Sequence, residues 1–365
     1  MNAVFLHVRQ GFESEAHQEL SVQLTTLGLN SEVNAEKPGD DSGYVMSPLD
    51  KIPDEKTRQS LRFESLIFAR QLLWVVSKVH IPEGDRVTPL AEAISQRLIP
   101  LTGANALSSL SIETPDTDKS KELSRFCKSL TRPLENALNR LRLLPKGKGA
   151  AHLPRAHVIL ISSSEALLAF SDVGNSSPWV MGIPRLKFPS DAPSRSTLKL
   201  EEAFHVFISE SQATSLLRAG MIAVDLGACP GGWTYQFVKR KIRTIAVDNG
   251  SISPSLMQTG LVTHLTEDAF KFRPQSPVDW LVCDVVEQPS RISDLIAMWF
   301  IRGYCRFSIF NLKLPMKKRF EEVYNCIDHL RKTCAQEGLT LHVKAKQLYH
   351  DRKEVTVFAH LSLKS

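Results

Sequence analysis

The sequence has few cysteines, and none of them are closely paired. The six cysteines stand at positions 127, 229, 283, 305, 326 and 334, without any Cys-x-x-Cys pair. A secreted disulfide scaffold would be denser in cysteine, and a structural zinc site would show paired ligands. We therefore expect a protein of a reducing compartment, cytoplasmic in location, without a metal site.

Long apolar runs and a strong charge of either sign are also missing. The longest apolar segments fall far short of the ~20 residues that a membrane helix needs. The run from Met1 to Arg9 is typical of a short strand rather than a signal peptide, so no membrane association is expected. Lysine and arginine number 45 against 39 acids, a formal net charge of +6. That mild excess permits a polyanionic partner without requiring one.

The length of 365 residues is too great for one ordinary core and predicts two or three domains. In the first half, strand and helix patterns are mixed, which is typical of one or two α+β units. The predicted elements are a strand over 3–8, a helix over 12–27, a turn over 38–43, a strand over 108–113 and a hairpin over 156–161 and 166–170. Residues 119–144 predict one or two amphipathic helices separated by Pro133.

Residues 174–193 are rich in Asn, Ser, Gly and Pro, which predicts a linker. Beyond it, short apolar strands alternate with helical segments. The predicted strands cover 222–226, 244–247, 280–283, 307–312, 340–344 and 354–361. This alternation favours a doubly wound, mainly parallel α/β sheet, in which ligands bind at the carboxyl ends of the strands.

The strongest local signal is a glycine-rich turn after the strand 222–226. The turn contains Gly227, Cys229, Pro230, Gly231 and Gly232, and a helical segment follows it. Glycines there would allow a positive φ and a close approach of a ligand to the backbone. The spacing differs from the G-x-G-x-x-G of dinucleotide sites, and the lysine of a P-loop is missing, so a phosphate cradle is disfavoured.

Acidic residues follow the next two strand segments. Asp248 could accept both ribose hydroxyls of an adenosine, and a carboxylate at Glu267 or Asp268 could accept the exocyclic amine of adenine. A lone glycine turn is commonly a mere connection, but together with these two acids it indicates S-adenosylmethionine as the cofactor. Asp225 is expected to hold the turn by hydrogen bonding to its amides.

Four charged residues have no evident structural purpose. They are Lys199, Asp284, Lys313 and Glu354. The first lies on a predicted helix over 194–204, which Ser194 or Ser196 could cap. The second and third end apolar strands, and the last opens one. A single charge at a strand end is commonly just solvated, but two of them, Asp284 and Lys313, at the ligand-binding edge of one sheet favour a position beside the cofactor.

These motifs carry a resemblance to a known family. The segment Val224 to Thr234 resembles the first motif of the FtsJ-type ribose 2′-O-methyltransferases, and residues 194–204 resemble the helix that precedes it. Segments 181–189, 310–319 and 347–356 are similar to members that act on bacterial 23S ribosomal RNA. The family's catalytic Lys-Asp-Lys-Glu tetrad maps onto the four charged residues above.

The resemblance implies a Rossmann-like methyltransferase sheet of the α/β class, preceded by an α+β half. Its parts are a ferredoxin-like α/β domain over 1–60, a THUMP RNA-binding domain over 61–172, a linker over 173–193 and the methyltransferase domain over 194–365. It implies methylation of the 2′-hydroxyl of one cytidine in the peptidyl-transferase region of 23S rRNA, naked or in an assembly intermediate. We expect a monomer, because nothing in the sequence suggests an obligate interface. Two alternatives stay open: another RNA such as tRNA as the target, or a non-catalytic RNA-binding assembly factor.

Within this hypothesis Lys313 is the general base, Lys199 lowers its pKa, and Asp284 and Glu354 orient the two amines. The expected cofactor contacts are Ser196, Cys229, Pro230, Gly231, Gly232, Asp248, Asp268 and Asp284. A competing hypothesis makes Cys229 or Cys283 a nucleophile for methylation of a base carbon. We expect instead that both are small buried residues.

Basic residues favour an RNA substrate only moderately. Residues 313–319 hold four cations beside the predicted base, and Arg185, Lys187 and Arg195 precede the helix of Lys199. Such cations would position phosphates without reading sequence. The segment 146–148 is interpreted as a solvated loop.

Overall fold

The computed structural model describes residues 1–29, 41–145 and 150–362. The chain divides into two compact units, Met1–Pro184 and Arg185–Ser365. The division falls inside the segment predicted as a linker. The turn predicted over 38–43 lies partly outside the described residues, and the loop at 146–148 lies wholly outside them.

The first unit is built on a six-stranded sheet. Its strands are β1 (Asn2–Val8), β2 (Tyr44–Leu49), β3 (Ala69–His80), β4 (Ser109–Glu113), β5 (Arg155–Leu160) and β6 (Glu165–Ser171). Its α-helices are α1 (Glu13–Thr26), α2 (Glu55–Ser60), α3 (Thr88–Ala93), α4 (Ile99–Thr102) and α5 (Ser124–Arg140). The strand order is β2-β1-β3-β6-β5-β4, in which β4 and β5 run parallel and the other neighbours antiparallel.

Strand β3 is central to this unit. It pairs with β1 on one side and β6 on the other, and its residues 69–77 are all buried. Because β1 and β2 precede residue 60 and β3 follows it, one sheet contains strands from both predicted N-terminal domains. The division at residue 60 and the THUMP assignment stay predictions.

The break predicted at Pro133 is wrong, because α5 continues through it. The buried residues Cys127, Leu130, Leu134 and Leu138 lie at helical spacing on both sides of the proline. An interior proline costs a helix about 3 kcal/mol. Packing of this apolar stripe against the unit offsets that cost, which the local sequence does not show.

The second unit holds a seven-stranded sheet. Its strands are β7 (Ile222–Leu226), β8 (Arg243–Val247), β9 (Val262–Leu265), β10 (Val278–Cys283), β11 (Cys305–Lys313), β12 (Leu341–Lys346) and β13 (Glu354–Leu361). Its α-helices are α6 (Thr197–Phe207), α7 (Glu210–Leu216), α8 (Gly232–Lys239), α9 (Pro254–Met257), α10 (Pro289–Ile301) and α11 (Arg319–Gln336). The predicted doubly wound sheet is confirmed.

The strand order is β12-β13-β11-β10-β7-β8-β9, with β13 antiparallel to both of its neighbours. This is the doubly wound order 3-2-1-4-5-6 with one reversed strand inserted before the last. The order changes direction between β7 and β10, so a ligand crevice is expected where these strands end. Because β13 is reversed, its first residue, Glu354, is the register partner of Lys313 at the end of β11.

Trp280 of β10 lies at the centre of the core of this unit and is fully buried. Its ring centroid lies 5.1 Å from that of Phe307 and about 6 Å from those of Phe204, Phe237 and Phe358. Phe204 belongs to α6. This packing fixes α6 against the sheet and thereby positions Lys199, which the same helix carries.

Neither a membrane span nor a metal cluster occurs among the described residues. Over 1–29, 41–145 and 150–362, no helix has both the length and the apolarity to cross a membrane. Within the same ranges, no three His, Cys, Asp or Glu residues are placed to hold a metal ion. All six cysteines are free thiols.

Candidate active site

The four charged residues singled out in the sequence lie together at the carboxyl end of the parallel strands. Lys199 Nζ lies 3.4 Å from Asp284 Oδ2 and also contacts Glu354 Oε1. Lys313 Nζ contacts Asp284 Oδ1 and Glu354 Oε2. Each lysine therefore bridges the two carboxylates through different oxygens. We call this closed ring of two cations and two anions, whose formal charges cancel, the tetrad.

The tetrad is partly shielded from solvent. The exposed fraction is 18% for the side chain of Lys199, 17% for Asp284, 21% for Lys313 and 6% for Glu354. The amines can therefore be reached from outside, whereas the Glu354 carboxylate is nearly covered. Partial burial strengthens the attraction between the charges and still leaves room for a substrate.

The pKa of Lys313 departs from the sequence-based expectation. Burial of the ammonium lowers its pKa, but the charges of Asp284 and Glu354 and the hydrogen bonds to them outweigh burial. The pKa of Lys313 is therefore raised above its ordinary value. The lowered pKa that was predicted for Lys313 is not found in this arrangement, because both carboxylates contact its amine directly.

Sequence reasoning missed the buried polar residues behind Asp284. Asn311 Nδ2 donates to Asp284 Oδ1 at 2.9 Å, and Thr356 Oγ1 lies 2.8 Å from Asn311 Oδ1. Thr356 Oγ1 also lies 3.0 and 2.9 Å from the two carboxyl oxygens of Asp351. The available signal was a polar residue that interrupts an otherwise apolar stretch of each strand, Asn311 in β11 and Thr356 in β13.

Glu202 was also missed. Its carboxylate is 2% exposed and accepts hydrogen bonds from the backbone amides of Tyr349 and His350 at 2.7 and 2.9 Å and from His350 Nδ1 at 2.6 Å. Glu202 follows Lys199 by three positions on α6, so the two side chains lie on neighbouring parts of the helix surface. Helix α6 thus carries one tetrad residue and also holds the loop that precedes Glu354.

The glycine turn follows β7 as predicted. Gly227 and Gly231 have φ values of +77° and +109°, a region that strains other residues. Gly232 differs, because it begins α8, where a Cβ would collide with Ser196 Oγ and lie 2.5 Å from Ser194 Oγ. The start of α6 therefore leaves no space for a side chain at Gly232.

Ser196 stands at the N-cap position of α6, as one of the two predicted candidates. Its hydroxyl lies 2.6 Å from that of Ser194. The capping hydrogen bond predicted for its side chain is not formed among the described residues. Ser196 nevertheless lies against the glycine turn, where a cofactor contact was predicted.

Asp248 lies directly against the glycine turn. Its carboxylate accepts hydrogen bonds from the backbone amides of Cys229 at 2.9 Å and Gly250 at 2.7 Å. Asp268 is exposed, follows β9 at the edge of the sheet and accepts the amide of Phe270 at 2.8 Å. The structure therefore brings Asp248 to the turn and leaves Asp268 near the end of the next strand.

The turn also adjoins the tetrad. The Asp284 amide donates to the carbonyl of Leu226 at 3.3 Å, and a Cβ on Gly227 would lie 2.8 Å from the side chain of Val285. The strand end that carries Asp284 is therefore packed against the beginning of the turn. One contiguous site contains the turn, Asp248 and the four tetrad residues.

Asp225 has a different partner from the one predicted. It is 1% exposed and accepts the hydroxyl of Thr234 at 2.6 Å, so it ties the end of β7 to α8 rather than to the amides of the turn. Burial raises the pKa of Asp225 to about 7. Its role in this structure is to hold the helix that follows the turn.

The two cysteines considered as nucleophiles differ from each other. Cys283 is fully buried, and burial raises its pKa to about 12, which disfavours the reactive thiolate. Cys229 is exposed, so the prediction that it is a buried residue is wrong. Its thiol donates to the carbonyl of Ser251 at 3.3 Å.

Comparison with protein families identifies the class of the second unit. Residues 192–323 match the FtsJ-like methyltransferase family model, so this unit is an FtsJ-like methyltransferase domain. Residues 1–73 match the RlmM ferredoxin-like domain. Residues 85–172 match the model of the N-terminal region of ribosomal RNA large subunit methyltransferase M.

Whole-chain relatives narrow the class further. Ribosomal RNA large subunit methyltransferase M of Yersinia enterocolitica is 45% identical over 360 residues, covering 98% of this chain and 95% of the relative. The protein of that name from Haemophilus influenzae is also 45% identical, and the match covers 100% of this chain and 100% of the relative. The chain belongs to the ribosomal RNA large subunit methyltransferase M family, and the FtsJ-type resemblance is confirmed.

Two solved structures illustrate a remote resemblance to the chain. TrmN from Thermus thermophilus is 17% identical with a TM-score of 0.38, covering 99% of this chain and 100% of that one. Fibrillarin from Aeropyrum pernix is 16% identical with a TM-score of 0.32, covering 56% and 82%. These likenesses are too weak to bear on function, which rests on the site and the family.

Proposed function

We propose that this protein transfers a methyl group from S-adenosylmethionine to the ribose 2′-hydroxyl of a cytidine in the peptidyl-transferase region of 23S rRNA. The observation that carries the proposal is the tetrad, in which Lys313 and Lys199 each contact both Asp284 and Glu354. The names of the family's members favour an rRNA substrate. We further propose a cytoplasmic monomer that acts on naked rRNA or on an assembly intermediate.

The residues around the turn suit S-adenosylmethionine, which supplies a methyl group carried by a cationic sulfonium. Asp248 has lone pairs beyond the two that its amide donors occupy, and these can accept the ribose hydroxyls. The turn contains neither lysine nor arginine, which is consistent with a ligand that carries no phosphate groups. The residues proposed to hold the cofactor are Ser196, Cys229, Pro230, Gly231, Gly232, Asp248, Asp268 and Asp284.

Lys313 is the proposed general base, and it must lose a proton before it can accept one. Because its pKa is raised, the ammonium form prevails at neutral pH. Lys313 loses part of this stabilisation when a cationic donor shares the site and RNA excludes water, since both disfavour the ammonium. We infer that the neutral amine forms in the assembled complex rather than being present beforehand.

The charges of the tetrad favour return of the proton. Once Lys313 is neutral, Lys199 and the two carboxylates leave a net formal charge of about −1. As the ribose oxygen forms its bond to the methyl carbon, the bond from that carbon to the donor's sulfur breaks, the hydroxyl proton passes to Lys313 and the neutrality of the tetrad is restored. Asp284 and Glu354 hold both amines in place, which keeps the reacting atoms aligned.

Basic side chains near the tetrad are proposed to bind the RNA backbone. Lys317 and Lys318 follow β11 and are exposed. Arg185, Lys187 and Arg195 are exposed as well. Contacts to phosphate would position the RNA without reading its sequence, and a THUMP domain over 61–172 is proposed to add further contacts.

The test is transfer of labelled methyl groups from S-adenosylmethionine to undermethylated 23S rRNA, with mapping at nucleotide resolution. The proteins compared are the wild type, Lys313→Ala and the control Lys332→Ala, which changes an exposed lysine on α11. We expect one ribose-methylated cytidine with wild type and control and its loss in Lys313→Ala, although cofactor binding persists. Transfer to tRNA or to a base atom instead would contradict the proposed substrate.

A further inference from the structure

The hydrogen bonds behind Asp284 can be assigned by counting protons. Asp284 is a carboxylate paired with two lysines, so it offers acceptors, and the Asn311 amide must turn its NH2 group toward it. The Asn311 oxygen then faces Thr356 at 2.8 Å and needs a donor. The Thr356 hydroxyl has one proton and gives it to Asn311.

That assignment leaves the contact between Thr356 and Asp351 without a proton. Thr356 Oγ1 lies 3.0 and 2.9 Å from the two Asp351 oxygens, and Asp351 Oδ2 accepts the Leu348 amide at 3.0 Å. If Asp351 were ionised, oxygen lone pairs would face each other there. The second proton must come from the Asp351 carboxyl, with Oδ1 as donor and Oδ2 as acceptor.

We propose that Asp351 is a positioning residue that stays a neutral carboxylic acid, donates to Thr356 and thereby fixes Asp284 through Asn311. This inference rests on the proposed function, because Asp284 matters for the reaction only if the tetrad performs it. The chain of donors runs in one direction, from Asp351 through Thr356 and Asn311 to Asp284. This chain of hydrogen bonds holds the Asp284 carboxylate in an orientation in which Oδ1 contacts Lys313 and Oδ2 faces Lys199.

The surroundings of Asp351 support the neutral form. Asp351, Thr356 and Asn311 are all fully buried, where an unpaired charge is costly. Burial and the nearby carboxylates of Glu354 and Glu202 raise the pKa of Asp351 well above its ordinary value, although the Leu348 amide and Lys199 oppose this. These charges face Asp351 from β13 and α6, and the negative ones prevail.

The first experiment measures single-turnover methyl transfer by the full-length protein. Asp351→Asn supplies a neutral donor and acceptor in the same positions and should retain most of the wild-type rate, with an unchanged pH profile. Thr356→Val keeps the shape but breaks the chain, and should lower the maximal single-turnover rate on the order of ten-fold, with little change in the RNA concentration that gives half of that rate. Thr356→Ser restores the hydroxyl and should recover the rate. A loss in Asp351→Asn equal to that in Thr356→Val would overturn the proposal.

The second experiment does not depend on RNA or activity. A group whose pKa is raised by folding contributes stability at low pH that is lost as the pH rises above its unfolded value of 3.8. The midpoint of thermal unfolding of Asp351→Asn should therefore rise relative to wild type as the pH increases above 3.8. A constant difference, or one of opposite sign, would show that Asp351 is ionised. If wild type transfers no methyl group but this shift appears, the proposed function has failed and the neutral Asp351 stands.

Discussion

Two clusters of charged and polar side chains, one in each unit, differ in their access to solvent. In the first unit, Glu113 accepts hydrogen bonds from His157 Nδ1 and from the Met181 amide, both at 2.7 Å. His157 Nε2 lies 3.0 Å from Ser171 Oγ, and Glu113, His157 and Ser171 are at most 2% exposed. The tetrad of the second unit has comparable contacts, but three of its four side chains are 17–21% exposed.

The difference separates a structural network from a reactive one. Ser171, His157 and Glu113 follow each other in the order of a nucleophile, a base and an orienting acid, yet no substrate can reach a serine buried this deeply. Burial lowers the pKa of His157, so it is neutral and donates through Nδ1 to an ionised Glu113. Contact geometry alone therefore does not define an active site; access at a strand end does.

The largest effect should come from changing the base while keeping its charge. Lys313→Arg preserves a cation, but a guanidinium cannot be deprotonated in proteins. We expect the single-turnover rate to fall by about 10²–10⁴-fold, with the midpoint of thermal unfolding little changed. Lys332→Arg is the matched control on an exposed surface. A near-normal rate in Lys313→Arg would make Lys313 an orienting cation rather than a base.

A pH series sharpens the comparison, because the accessible cluster should titrate during function. At RNA concentrations well below saturation, the rate of the wild type should rise about ten-fold per pH unit through neutral pH, because the raised pKa keeps Lys313 protonated in the free enzyme. Glu354→Gln removes one of the carboxylates that raise this pKa, so its profile should shift to lower pH. Single-turnover rates against pH measure both, and an unshifted profile would contradict the assignment.

The buried cluster should respond in stability instead. In Glu113→Gln, one amide oxygen replaces two carboxylate oxygens, so either His157 or the Met181 amide faces an NH2 group. We expect a loss of about 1–3 kcal/mol in the free energy of unfolding, measured with denaturant, and an unchanged rate for the folded protein. Glu165→Gln, at an exposed ion pair with Lys78, is the control and should lose less than about 0.5 kcal/mol. A selective loss of rate in Glu113→Gln would remove the distinction between the clusters.

The smallest effect on the rate of methyl transfer is expected from a change at the Cys229 thiol. This change tests whether an accessible cysteine acts as a nucleophile. Cys229→Ser retains a donor for the Ser251 carbonyl and should keep most of the methyl-transfer rate. If Cys229 attacked a pyrimidine ring, the serine variant would lose transfer, because covalent catalysis requires the thiolate. The rate and the position of the methyl group, at the ribose or the base, are the readouts.

Much of the site could be predicted from the sequence because strand ends converge in a parallel sheet. Asp284 and Lys313 follow apolar strands, and the order of those strands places their ends together. Glu354 was noted as the first residue of a strand, but only the family resemblance assigned it to the site, since a residue that opens a strand reaches this edge only if the strand is reversed. The tetrad contacts themselves confirm that the residues meet.

The parts that could not be predicted depend on neighbours distant in the chain. Asp351 and Glu202 acquire their partners only after β12, β13 and α6 are packed, and no local periodicity reports that. The strand β2 was missed because Pro48 weakens its pattern, and the structure places it at an edge of the sheet, where proline is tolerated. At Pro133 the local sequence predicted a break that the structure lacks, because long-range packing of α5 overrides the local effect of the proline.

The position of β13 has a consequence for the newly made chain. It is the last strand in sequence among the described residues, yet it lies between β11 and β12. The first unit can fold while synthesis continues, since domains generally fold from the N-terminal end first. The gap beside β11 is filled only after Glu354 and the strand behind it have been made. A nascent chain therefore lacks a complete tetrad until β13 has been made and inserted between β11 and β12.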